Sequence, residues 1–177
     1  VMDNGRMFES TGLFGESTLR EVNTTTGEVM RQTNLEPSLF GEGIAVVGDS
    51  IFMLTWLNET VLVFDKETFN LTSIMNYEGE GWGLCFDGSS LVMSNGTSSL
   101  SFRNPANFEI IRSVEVTDSS GNGVQMINEL ECVSTDSGNR ILANIWQEAR
   151  ILMIEPSSGN IVAEFDASSL SSQNGVT

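Results

Sequence analysis

The sequence predicts an all-β fold of radially repeated four-stranded units, a β-propeller, and three observations predict it. Apolar residues fall in short alternating runs, with no long amphipathic helix among them. A polar turn recurs four times, at intervals of about 40 to 50 residues, the period of a propeller blade. Three segments end a β-like run beside a glycine turn, and all three tryptophans of the chain fall at those places.

The elements follow in order. Val1–Ser10 contains the turn Asp3-Asn4-Gly5, whose residues tolerate the positive φ of a tight hairpin, and it reads as the second strand of a first unit. The runs 50–54, 61–64, 90–93, 109–116, 150–154 and 160–165 are rich in β-branched residues and bounded by Gly, Asp, Asn and Ser, so they read as strands. The recurring turn is Asn23-Thr24-Thr25-Thr26-Gly27, Asp65-Lys66-Glu67-Thr68-Phe69, Asn104-Pro105-Ala106-Asn107-Phe108 and Glu155-Pro156-Ser157-Ser158-Gly159. An acid or Asn opening such a turn caps backbone donors. After Phe165 the chain is serine-rich, with no further strand pattern. The expectation is one propeller domain over residues 1–177, with about four blades visible and both ends unfinished. Such an arc would leave an apolar blade face bare at each end.

Composition narrows the function. Acidic residues outnumber basic ones 24 to 8, a formal charge of −16. That field repels phosphate backbones and anionic membrane surfaces, so neither nucleic acid nor membrane is expected as a partner. Histidine is absent, which removes Ser-His-Asp and Cys-His nucleophile systems and His-based zinc sites. The two cysteines, Cys85 and Cys132, cannot make an all-thiolate zinc site within one chain. They look like equivalent positions of successive blades, which point the same way and lie too far apart to bridge. They are therefore expected as small buried hydrophobes rather than as a disulfide. The loop Asp118–Gly123 offers oxygen ligands but lacks the spaced acids of a calcium hand. No metal and no cofactor is expected. Four N-x-S/T triplets, at Asn23, Asn58, Asn70 and Asn95, lean toward a secreted glycoprotein.

The remaining polar and aromatic set is Glu42, Trp56, Trp82, Asn95, Asn128, Glu129, Asn144 and Trp146. The ends of equivalent strands converge on one rim of a propeller, so these residues could line a single pocket. Glu80, Glu129 and Glu131 are expected as hydrogen-bonding groups of that rim.

Six motifs stand in order along the chain: Glu9-Ser10-Thr11-Gly12-Leu13-Phe14-Gly15, Phe40-Gly41-Glu42-Gly43, Leu54-Thr55-Trp56, Gly79-Glu80-Gly81-Trp82-Gly83-Leu84, Met93-Ser94-Asn95-Gly96-Thr97, and Asn128-Glu129-Leu130-Glu131 with Ala143-Asn144-Ile145-Trp146. Together they resemble the glutamine cyclotransferase family, the plant- and bacterial-type glutaminyl cyclases. The resemblance implies a five-bladed β-propeller that converts N-terminal glutamine of peptides and proteins to pyroglutamate with release of ammonia; a monomer is expected. By motif, Glu42 matches the family's catalytic glutamate. Trp82 and Trp146 match its pocket tryptophans, Trp56 a further aromatic of the rim, and Asn128 a substrate-binding asparagine. The family's Phe-Thr-Gln-Gly-Leu, Asn-Gly-Ile-Ala and Thr-Gly-Lys segments find no counterpart among these residues, and the one lysine, Lys66, falls in an outer turn. The other reading of the same rim is a non-catalytic propeller module that binds peptides or glycans through its aromatic residues.

Overall fold

The turn that recurs in the sequence recurs in space. In the computed structural model, which describes residues 1–171, four antiparallel four-stranded sheets follow one another along the chain. The first holds β1 (Met2–Asp3), β2 (Arg6–Thr11), β3 (Thr18–Val22) and β4 (Val29–Asn34). The second holds β5 (Gly41–Val47), β6 (Ser50–Thr55), β7 (Thr60–Asp65) and β8 (Leu71–Asn76). The third holds β9 (Leu84–Phe86), β10 (Leu91–Met93), β11 (Ser99–Arg103) and β12 (Ile110–Glu115). The fourth holds β13 (Ile127–Thr135), β14 (Gly138–Ile145), β15 (Arg150–Ile154) and β16 (Ile161–Asp166). Each sheet pairs its strands in chain order, the topology of a propeller blade. Val1–Ser10 therefore supplies the end of an inner strand as well as a second strand.

In every blade the turn between the third and fourth strands closes in the same way. The amide of its fifth residue donates to the carbonyl of its first: Gly27 to Asn23, Phe69 to Asp65, Phe108 to Asn104 and Gly159 to Glu155. The Asn23, Asp65 and Asn104 side chains accept further turn amides, the capping expected of them. The closing residue has φ between 59° and 77°. Glycine meets that demand in two blades. In the other two, burial of the Phe69 and Phe108 rings offsets the strain.

The blades pack face to face through three apolar clusters. Phe8 and Leu19 meet Ile44, Ile51, Met53 and Phe64 between the first and second blades. Phe52, Leu54 and Val61 meet Leu84, Leu91 and Phe108 between the second and third. Val92, Leu100 and Phe102 meet Leu130, Ile141, Ile145 and Leu152 between the third and fourth. The first interface adds an ionic edge. Glu21 accepts from Arg6 at 2.8 and 2.9 Å and from Arg31 at 2.6 Å, and Lys66 reaches Asp3 at 2.9 Å. Lys66 is thus an interface residue of the outer turn.

Burial shows where the stack runs out. Strand β6, in the second blade, is buried on both faces after its first residue, whereas β14 alternates between buried and half-buried from Arg140 onward. Leu142, Ile151 and Met153 lie half-buried on the face of the fourth blade turned away from the third. After β16 comes one helical turn, α1 (Ser168–Ser171). The rest of the tail expectation, residues 172–177, lies outside the described residues.

One expectation fails. Cys85 and Cys132 form a disulfide with a Cα separation of 5.4 Å. Their positions are not equivalent. Leu84 pairs with Met93 and Leu130 with Ala143, so Cys85 is the first residue after its blade's reference pair and Cys132 the second. In a strand, an offset of one residue reverses the face. Cys85 therefore points forward to the fourth blade and Cys132 back to the third, and the two innermost strands lie close enough to join.

Candidate functional site

The same registers build the site. In β5 the three steps from Gly41 to Ile44 span what two steps, Thr55 to Met53, cover in the partner strand. In β13, Ile127 to Leu130 oppose Ile145 to Ala143 with the same excess. Each is a β-bulge, a device that re-aims a side chain at the end of a ladder. Glu42 sits in the first bulge and Asn128 in the second, each two residues before the first regular pair. Trp82 stands two residues before Leu84, the corresponding pair of the third blade. Glu42, Trp82 and Asn128 are therefore the same position in three successive blades. A second repeated position lies one residue past the second strand. Trp56 occupies it after β6 and Trp146 after β14, and Gly96 stands at the corresponding register of the third blade, three residues after Met93 as Trp56 follows Met53 and Trp146 follows Ala143.

Close packing at the inner rim brings these positions together. Gly43 donates its amide to the Trp82 carbonyl at 2.7 Å. A Cβ on Gly43 would stand 2.5 Å from the Leu84 nitrogen, and one on Gly83 2.2 Å from the Asn128 carbonyl oxygen. Glycine is thus what lets neighbouring blades meet backbone to backbone. Ser94 extends the seam, accepting from the Gly83 amide at 2.7 Å and donating to the Asn128 carbonyl at 2.6 Å.

The result is a cavity of about 240 Å³ lined by Phe40, Glu42, Trp56, Trp82, Asn128 and Trp146. Of the eight residues that the sequence offered for one pocket, Glu42, Trp56, Trp82, Asn128 and Trp146 line it, and Asn95, Glu129 and Asn144 do not. Phe40 was quoted in a motif but not expected in the wall. It packs edge-on against Trp56 with centroids 5.5 Å apart and lies over Gly12, where any side chain would collide with it. Trp82 and Trp146 make a second edge contact at 5.9 Å, and Trp146 is 47% exposed at the mouth. Larger clefts exist elsewhere, such as that of about 520 Å³ around Ser99, Ser101 and Arg103, but in that one the guanidinium is occupied by Ser101 and the Phe108 carbonyl.

The electrostatics single out two carboxyls. Burial pushes the Glu42 carboxyl up to about 7, with the like charge of Glu80 adding to the effect. Crowding by protein also drives Glu129 upward, with Glu42 and Glu131 adding to this and the amino terminus opposing it, although solvent reaches this residue. The Glu129 backbone amide donates to Asn144 Oδ1 at 2.9 Å, which braces the bulge. Glu80 accepts from Trp56 Nε1 at 2.7 Å and from Trp82 Nε1 at 2.9 Å, a rim hydrogen-bonding group as expected. Asn95 stays outside the cavity, its side chain accepting the Thr97 hydroxyl at 2.6 Å. The Asp118 carboxylate is taken up by the amides of Ser120 and Asn122 in its own loop.

An ionisable carboxyl held near neutrality, an amide and a wall of indoles suit proton transfer on a compact substrate with a polar head. The sequence profile described as glutamine cyclotransferase matches residues 1–177. A curated relative from Arabidopsis thaliana, described as glutaminyl-peptide cyclotransferase, is 34% identical over 176 residues, 95% of this chain and 51% of its own length. The chain thus spans about half the length of that relative. The crystal structure of Myxococcus xanthus glutaminyl cyclase superposes with a TM-score of 0.88 at 34% identity, covering 98% of this chain and 72% of that one. Kuenenia stuttgartiensis hydrazine synthase, 16% identical with a TM-score of 0.53 over 83% of this chain and 42% of its own, shares the fold alone.

Proposed function

This chain belongs to the glutamine cyclotransferase family, and we propose that the protein carrying it is a glutaminyl-peptide cyclotransferase that closes N-terminal glutamine to pyroglutamate and releases ammonia. One observation carries the reading: a carboxyl pushed to about 7 shares a small cavity with three indoles and a free-facing asparagine.

The substrate holds its amine and its side-chain carboxamide in one short chain. The pocket has to fold that chain back, and ordering of this kind can supply on the order of 7–11 kcal/mol in ideal intramolecular cases. Trp56, Trp82 and Trp146 pack the folded conformer and exclude water. The neutral amine attacks the carboxamide carbon, forming the ring C–N bond. Glu42, as carboxylate, takes the proton the nitrogen sheds and returns it to the departing amide nitrogen, which leaves as ammonia. The carboxylate is regenerated, so one residue serves as base and then as acid. A pKa near the working pH is what both half-steps need. Asn128 donates to the amide oxygen as its charge develops. Activity therefore falls as pH drops through about 7, because protonated Glu42 cannot accept.

The disulfide and the triplets at exposed Asn58 and Asn70 support an oxidising secretory compartment and a glycosylated product. The test is ammonia release, with the accompanying mass loss, from a Gln-initiated peptide. Glu42→Gln should lower kcat by roughly 10² to 10⁴, and Asn128→Ala by about 10² to 10³. Wild-type rates in both variants would remove the mechanism. The exposed Trp146 favours the second reading, a binding rim without chemistry. Peptide binding with no ammonia released would establish it.

A further inference from the structure

We propose that Glu80 is a positioning residue of this pocket, a single carboxylate oxygen that clamps the indole N–H groups of Trp56 and Trp82 and so fixes the walls around Glu42. The inference rests on the cyclotransferase reading for its kinetic consequence, but its geometry does not. Trp56 follows β6 in the second blade and Trp82 precedes β9 in the third. Glu80 lies on the crossover between those blades, and its Oε2 accepts from both rings, at 2.7 and 2.9 Å. The crossover is pinned on either side of it. The Gly79 amide donates to Glu59 Oε1 at 2.9 Å, and the Gly81 amide to the Trp56 carbonyl at 3.1 Å. Gly81 also lies against the Tyr77 hydroxyl, where a Cβ would stand 2.2 Å from that oxygen.

An indole without a partner for its N–H can turn about its side-chain bonds. With the N–H fixed, the ring plane is fixed, and the effect spreads. Trp56 carries Phe40 at 5.5 Å and Trp82 carries Trp146 at 5.9 Å. One carboxylate thereby sets four of the six residues that line the cavity. Hydrogen bonds to an ionised acceptor are the stronger class, which suits a clamp that must hold two rings in place.

Glu80 also bears on the proton shuttle. The charged or titratable groups acting on Glu42 are Glu80 from the crossover, Glu129 from β13 and Tyr77 from the end of β8, with the amino terminus beyond Glu129. Among the described residues no cation lines the cavity. Glu80's negative charge favours the protonated form of Glu42, so its removal lowers the pH at which Glu42 ionises.

Two variants and two readouts test the proposal. All three tryptophans of this chain line the cavity, so the substrate-free tryptophan fluorescence of this chain reports on the pocket. Glu80→Ala should shift the emission and increase quenching by acrylamide. It should also raise KM for a Gln-initiated peptide by roughly tenfold or more, with a smaller change in kcat. Glu80→Gln keeps an oxygen that can accept from both indoles but loses the charge. It should restore the fluorescence and most of KM, and move the acid limb of the pH profile to lower pH. Wild-type fluorescence and KM in Glu80→Ala overturn the clamp. If Glu80→Ala does not fold, the wild-type protein decides: indole N–H groups of Trp56 and Trp82 that exchange with solvent as fast as that of exposed Trp146 overturn the clamp. Should the wild-type protein release no ammonia, the cyclotransferase reading fails, while the fluorescence comparison still decides whether Glu80 holds the rings.

Discussion

Glu42, Trp82 and Asn128 hold one position in three consecutive blades, and the residue that follows each decides how closely the blades approach. Gly43 and Gly83 follow the first two, with the next blade's backbone where a side chain would begin. At Gly43 the obstructing atoms are the Leu84 nitrogen and the Trp82 carbonyl oxygen, at 2.5 and 2.6 Å, and neither can turn aside as a side chain could. Gly43→Ala should therefore part the second and third blades and cost about 3 kcal/mol of stability, at the upper end of overpacking effects. Gly79 serves as a control. Its φ is +86°, with nothing within 4 Å of an added Cβ, so Gly79→Ala bears only the local backbone cost, about 1 kcal/mol. Urea denaturation of the two variants measures the difference. Equal losses would mean that the seam between the blades yields more readily than the geometry implies. Glu42 and the tryptophans were legible as a set because their repeat positions can be read along the chain. Phe40 and the bridging role of Glu80 were not, because ring packing and a shared hydrogen bond across two blades leave no local mark.

At the scale of the element, strands and turns were legible for a plain reason: period-two alternation and the Asn/Asp-capped turn are local chemistry. The disulfide was misjudged because the two cysteines differ by one residue in their distance from the reference pairs, Leu84 with Met93 and Leu130 with Ala143, and that offset puts them on opposite faces. Only the pairing registers reveal it. The bond joins β9 to β13 across a sequence separation of 47 residues. A loop of that size should contribute about 4 kcal/mol by restricting the unfolded chain. Trp82 stands just before β9 and Asn128 near the start of β13, a few residues upstream of Cys85 and Cys132, so the bond also braces the pocket from below. Reduction, or the pair Cys85→Ala and Cys132→Ala, should lower the unfolding free energy by about that amount. It should also raise KM for a Gln-initiated peptide more than it lowers kcat. A denaturation midpoint indifferent to reductant would show that blade packing alone holds the two strands together.

For the molecule as a whole, the opposed shifts of its carboxyls predict how stability varies with pH. Hydrogen bonds from Arg6, joined by Arg31, hold Glu21 down at about 2, against an ordinary value of 4.5. Its contribution is therefore fully present above 4.5 and is lost as pH falls through about 2. Glu42 is raised to about 7, chiefly by burial, and Glu129 is shifted in the same direction. The folded state holds these protons more tightly than the unfolded chain does. That advantage is whole below 4.5 and disappears as pH climbs through about 7. A net charge of −16 adds self-repulsion on the alkaline side. Stability should therefore peak close to pH 4.5, the ordinary glutamate value, and decline in both directions, as thermal unfolding across a pH series would record. Two controls separate the causes. Glu42→Gln should flatten the alkaline decline, because its amide has no proton to lose. Added salt should raise stability more at pH 8 than at the peak, because it screens the general repulsion. If the proposed chemistry holds, the ionised Glu42 that the reaction needs forms on the very limb where the fold is weakening. A variant stabilised at alkaline pH by Glu42→Gln yet devoid of ammonia release would show the pocket retaining a destabilising acid for its reactivity. A stability curve level between pH 4.5 and 8 would mean instead that Glu42 ionises as freely in the folded protein as in water.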